Sequence, residues 1–83
     1  MTDTDRLDDT LRSVLMLPAD ADLATVAYGG TETWDSVAHM QLVLAIEETF
    51  GITLAADDVV AMSDYPAATR ILRASRPRAR RRR

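Results

Sequence analysis

The chain contains no cysteine. That absence removes a disulfide framework, a thiolate metal site and a cysteine nucleophile, and it leaves the redox compartment open. Lysine is also absent, so every basic side chain apart from one histidine is an arginine. Aromatic residues make up only 5%, which disfavours a β-sandwich or barrel built on aromatic strands. No apolar run approaches the ~20 residues that span a bilayer, so no membrane span is expected. The first residues, MTDTDRLDD, are acidic rather than basic, unlike a secretory signal; a cytoplasmic protein is the expectation.

What is present points to one small helical domain. With 83 residues, 47% of them hydrophobic, the chain suits a single compact unit with a limited core and little room for a catalytic cleft. Its alanines, leucines and aspartates favour helix over sheet. The net charge of −3 conceals a division. Residues 1–75 hold four arginines against all 13 acids, a formal −9, whereas residues 76–83 hold six arginines and no acid. An acidic body favours basic protein partners and repels nucleic acid. The terminal run carries one proline, one alanine and six like charges, and reads as disordered. The expected organisation is therefore a folded domain over 1–75 and a tail over 76–83.

Hydrophobic spacing predicts the elements. Leu7, Leu11, Val14 and Leu15 share one face at helical period, with Asp3, Asp5, Asp8 and Asp9 in the first turns, where the helix dipole favours negative charge. Pro18 is the expected stop. Residues 18–35 form a long connection that Leu23, Val26 and Trp34 should pin to the core. The strongest helix spans 36–50 and ends at Gly51, a suitable C-terminal glycine. Asp35 or Ser36 can cap its start. Phasing places Leu42, Val43, Ile46 and Phe50 on one face, with His39 nearby. Val37, Met40, Gln41, Leu44, Glu47 and Glu48 fall on the other, as an apolar stripe edged with acid. A short third helix is predicted over 56–62. A fourth starts near Ser63 or Asp64, with Pro66 in its first turn, and runs to about Ala74. The expected fold class is all-α: a small four-helix bundle with a long first loop and a short third helix.

Ser36 opens the second helix, near the positive end of the dipole, a suitable place for a phosphodiester. Position alone favours a plain N-cap, since caps are far commoner than modified serines. The run Trp34-Asp35-Ser36-Val37-Ala38-His39-Met40-Gln41-Leu42, followed by Ile46-Glu47-Glu48-Thr49-Phe50-Gly51-Ile52, resembles the acyl carrier protein family. That family places Asp-Ser-Leu before an apolar recognition helix ending in an acidic pair, a phenylalanine and a glycine. The resemblance is dense over residues 34–52 and extends, through helix order and the long first loop, over about 3–74.

The resemblance implies a carrier that is not itself an enzyme. Ser36 would receive 4′-phosphopantetheine from coenzyme A through a separate phosphopantetheinyl transferase. Asp35 would orient the serine or bind the transferase's magnesium. The arm's thiol would hold acyl or aminoacyl groups as thioesters, for a loading enzyme and for downstream transferases or synthases. Val37, Met40, Gln41, Leu44, Glu47 and Glu48 would be the docking face of a monomeric carrier. Val37 replaces the family's usual leucine, and Gln41 stands where a fatty-acid carrier has glutamate. Trp34 before Asp-Ser resembles discrete carriers of specialised pathways, including aminoacyl, D-alanyl and extender-unit carriers, more than the fatty-acid carrier, which implies polyketide, nonribosomal peptide or cell-envelope biosynthesis.

Other patterns carry less. His39 lies three residues after Ser36, but a nucleophile–base pair also needs an orienting group and an oxyanion hole, and no G-x-S-x-G elbow is present; a satisfied structural histidine is expected. Asp57 and Asp58 lack calcium-loop spacing and favour the start of the third helix. The competing functional reading is a helical interaction module in which Ser36 only caps a helix and the arginine tail binds nucleic acid.

Overall fold

The computed structural model describes residues 2–75; the tail expected over 76–83 lies outside the described residues. The described residues form four α-helices, α1 (Asp3–Val14), α2 (Ser36–Phe50), α3 (Ala56–Ala61) and α4 (Tyr65–Ala74), with a 3-10 turn at Leu23–Thr25 between α1 and α2. Among the described residues there is no strand, only an isolated bridge between Ala27 and Asp64. The all-α bundle with a long first connection and a short third helix is the observed architecture.

Each helix starts where a side chain can satisfy its orphan amides, except α3. Thr2 and Asp5 form a reciprocal capping box on α1, which serves two donors that the helix cannot serve itself. Asp64 caps α4 through the Ala67 amide, and Pro66 sits in its first turn. The third helix has no side-chain cap, ends at Ala61 rather than Met62, and contains no fully buried residue.

The end of α1 differs from the expectation that Pro18 stops it. The helix closes at Val14, and Met16 takes a left-handed conformation with φ 54°. The Leu17 amide donates to Arg12 O at 2.9 Å and the Met16 amide to Ser13 O at 3.4 Å. This is a Schellman closure, here with methionine at the position that usually favours glycine. Leu17 is thereby turned back to pack partly against the core, and Pro18 merely follows the turn.

The core is drawn from every segment. Leu7, Leu11 and Leu15 of α1 and its closing turn meet Ala38, Leu42, Val43 and Ile46 of α2, with Ile71 of α4. Leu23, Val26 and Trp34 anchor the long connection, as their spacing in an otherwise aperiodic stretch requires, and Trp34 is fully buried. Arg6 adds a polar seam: its guanidinium donates to Thr49 O near the end of α2 and lies 4.8 Å above the Phe50 ring. A cation is favoured there because the last carbonyls of a helix carry its negative dipole end.

Candidate functional site

The long connection closes on α2 through a hydrogen-bonded turn. Gly29, with φ 80°, lets its amide donate to Trp34 O at 3.1 Å, while the Trp34 amide donates to Thr31 O at 2.9 Å. The Tyr28 amide donates to Ser63 O at 2.8 Å, tying this turn to the segment before α4. With Trp34 buried and its backbone held at both ends, the chain direction entering α2 is set. Asp35 and Ser36 follow at the surface.

The choice between the two caps is resolved by geometry. Asp35 has extended backbone and accepts from the Ala38 amide at 2.9 Å, so it is the N-cap of α2. Ser36 is the first helical residue. Its hydroxyl is exposed and makes no hydrogen bond among the described residues, and the amides of Ser36 and Val37 are likewise unpaired. An accessible hydroxyl therefore stands beside two free N–H donors at the positive end of a 15-residue helix, the arrangement that stabilises a covalently attached phosphate.

The outer face of α2 continues from Ser36. Val37 is 66% exposed, Met40 52% and Leu44 62%. These three, with exposed Gln41 and Glu48, form one strip along the helix. Glu47 is placed differently. It is half-buried, and its Oε2 accepts from the Leu54 amide at 2.8 Å. The acidic pair thus splits into one carboxylate that holds the chain after α2 and one that faces solvent. On the other side of the short third helix, Val60 is 81% exposed, an apolar position that sequence reading did not single out. The doublet Val59-Val60 was the available signal, since a six-residue helix can turn only one of two adjacent side chains inward.

No family model, curated protein or solved structure matches the chain.

His39 is satisfied structurally. Trp34 Nε1 donates to its Nδ1 at 3.0 Å, and its Nε2 lies 2.7 Å from Val59 O. Both ring nitrogens are engaged, so neither is left to take a proton from Ser36, which removes the basis for a serine–histidine nucleophile. Asp57 and Asp58 sit in the first turn of α3, and among the described residues no group of three metal-binding side chains lies together. The Thr33 hydroxyl, three residues before Ser36, is buried without a partner; no sequence signal marks it.

Proposed function

We propose that this chain is an acyl carrier protein, loaded at Ser36 with 4′-phosphopantetheine and serving separate enzymes of a specialised biosynthetic pathway. The observation that carries the reading is the division of labour at the start of α2. Asp35 performs the capping, so the Ser36 hydroxyl has no structural duty and remains free in the positive field of the helix. The amides of Ser36 and Val37 would hold the phosphate oxygens. Asp35 Oδ1 is committed to the helix, which leaves Oδ2 to meet the transferase's magnesium. When bound, the group supplies a terminal thiol that carries cargo as a thioester, a function this cysteine-free chain has no side chain to perform.

The transfer asks little of the carrier. Ser36 would supply the hydroxyl that takes the phosphopantetheinyl group from coenzyme A, with adenosine 3′,5′-bisphosphate as the leaving group and the hydroxyl proton passing to the transferase's base. Val37, Met40 and Leu44 offer apolar contact beside the serine, with Gln41 and Glu48 at its edge. An exposed apolar strip with a polar margin suits a transient enzyme partner.

Intact-mass measurement after incubation with coenzyme A and a broad-specificity phosphopantetheinyl transferase tests the reading. The wild type should gain one phosphopantetheine. Ser36→Ala should gain none and lose less than about 0.5 kcal/mol of stability, because the hydroxyl does not cap; Asp35→Ala should cost about 1 kcal/mol. An unmodified wild type beside a converted control carrier would overturn the proposal, as would modification of Ser13, Ser63 or Ser75 in the Ser36→Ala protein.

A further inference from the structure

Eight of the chain's ten arginines lie in residues 65–83, which hold no acid. The run starts on a folded helix, where Arg70 and Arg73 stand exposed on α4. Arg6 is held by Asp3 and Thr49 O, and Arg12 by Ala21 O. Arg70 and Arg73 make no hydrogen bond or ion pair among the described residues. Three positions apart, they are neighbours on the helix surface, where like charges repel. The residues one turn away are Pro66, Ala67 and Ala74 for Arg70 and Thr69 for Arg73, so no carboxylate on α4 relieves them. The helix dipole favours Arg73 in the last turn, but not Arg70 three positions before it.

An open groove of about 660 Å³ runs along the same helix, lined by Tyr65, Pro66, Thr69, Arg70, Arg73 and Ala74. Its wall is mostly apolar, and the arginine stems extend that apolar surface while their heads stay in water. Planar guanidinium groups pair with carboxylates two bonds at a time. The face therefore suits a ligand that brings carboxylates and apolar side chains together. Negative charge borders the groove. Asp8 Oδ1 accepts from the Tyr65 hydroxyl at 2.7 Å, Asp3 lines a neighbouring cleft with Arg73, and residues 1–64 carry all 13 acids against two arginines. A nucleic-acid duplex or an anionic bilayer presents charge over a wide surface and would meet these carboxylates too. A protein segment can set a few carboxylates against Arg70 and Arg73 and turn apolar side chains to the groove.

We propose that the outer face of α4 docks an acidic, partly apolar segment of another protein. Arg70 and Arg73 pair with its carboxylates, and the groove beside Tyr65, Pro66 and Ala74 takes its apolar side chains. The six arginines of residues 76–83 add charge of the same sign and raise the encounter rate. This surface differs in sign from the outer strip of α2, whose edge is acidic, so the two take partners of opposite charge. The docking is independent of whether Ser36 carries a prosthetic group.

Fluorescence anisotropy with the full-length protein at physiological salt tests the proposal. The probes are a labelled amphipathic peptide of glutamate and leucine, and a counterpart of equal charge with serine in place of leucine. The leucine peptide should bind about tenfold tighter than the serine peptide, because only it buries apolar side chains in the groove. Arg70→Glu with Arg73→Glu should weaken the leucine peptide about tenfold or more, as two attractive pairs become repulsive. Arg70→Gln with Arg73→Gln should fall between, and it decides if the charge-reversed protein fails to fold. Truncation after Ser75 should weaken both peptides by a similar factor and keep the preference for leucine. The proposal is overturned if the leucine peptide does not bind, if the two peptides bind equally, or if the glutamine variant binds like the wild type. Loss of the preference on truncation would overturn it too, by placing the site in the tail. Tighter binding of a duplex oligonucleotide or of phosphatidylglycerol vesicles would do the same. So would self-association of the wild type that the glutamine variant abolishes, which would assign the face to a second copy of the chain.

Discussion

The inner and outer faces of α2 are built from the same kinds of residue and meet opposite environments. Leu42 is fully buried, whereas Leu44, two positions on, is 62% exposed. Val43 is buried and Val37 is open to solvent. Composition does not separate these residues; phase around the helix does. The inner face meets α1 and the connection through Leu11, Leu15 and Trp34, while the outer one has no partner among the described residues. An apolar strip kept on the surface of a small domain is costly to leave uncovered, and the proposed transient docking of enzymes would account for it.

Exchanging leucine for alanine on each face should break the symmetry most sharply. Leu42→Ala should cost about 2–5 kcal/mol in urea unfolding, the range for a leucine removed from a packed core. Leu44→Ala should stay within about 0.5 kcal/mol of the wild type, as surface changes do, yet it should slow transferase modification of Ser36 at unchanged helicity. Equal destabilisation by the two would mean that the outer strip is covered in solution.

A second test sharpens the comparison within the acidic pair. Glu47→Gln leaves the Leu54 amide with a neutral acceptor in place of a carboxylate, and Glu47→Ala leaves it with none. The alanine variant should lose about 1.5–3 kcal/mol, the range for a hydrogen bond to a charged group, with the glutamine variant between. Glu48→Ala should leave urea stability unchanged within about 0.5 kcal/mol. Glu48→Lys should slow modification chiefly at low salt, because screening weakens exposed charge pairs. A salt-dependent loss for Glu47 with none for Glu48 would reverse the assignment.

The smallest effect belongs to the seam between α1 and α4, remote in chemistry from either face of α2. The Tyr65 hydroxyl donates to Asp8 Oδ1 at 2.7 Å. That bond first, then burial and the negative charge of Asp8, hold the phenol's pKa above its ordinary 10.0. Since the folded value is raised, the contribution is fully present below about pH 10 and is lost as pH rises through the folded value. Tyr65→Phe should cost about 1 kcal/mol or less near neutrality and flatten the alkaline fall in unfolding midpoint. It should leave modification of Ser36 unchanged; a slowed reaction would place the seam within the docking surface.

Much of this arrangement was legible in the order of residues. The stripe of Leu7, Leu11 and Leu15 and the phase of Leu42, Val43 and Ile46 repeat at the helical period, so burial follows from local geometry. Leu23, Val26 and Trp34 stood out as the large apolar residues of an aperiodic stretch. Gly51, with φ 65°, ends α2 where a residue lacking Cβ is favoured. The stop of α1 was misread because proline is a strong local signal, whereas the left-handed Met16 depends on Leu17 finding a place against the core.

Amino-acid order by itself determined which segments are helical, which face of each is apolar, and that a serine with a neighbouring aspartate stands at the start of the longest helix. Those properties arise from propensity, period and capping chemistry, all of which act within a few residues. Only the tertiary structure decided that Asp35 caps and Ser36 stays free, that Glu47 turns inward to Leu54 while Glu48 faces solvent, and that His39 is shared between Trp34 and Val59. The physical reason is common to the three. Each choice lies between chemically equivalent local options, and the option taken depends on where a donor or acceptor from another segment, or the surface itself, falls once the chain has packed.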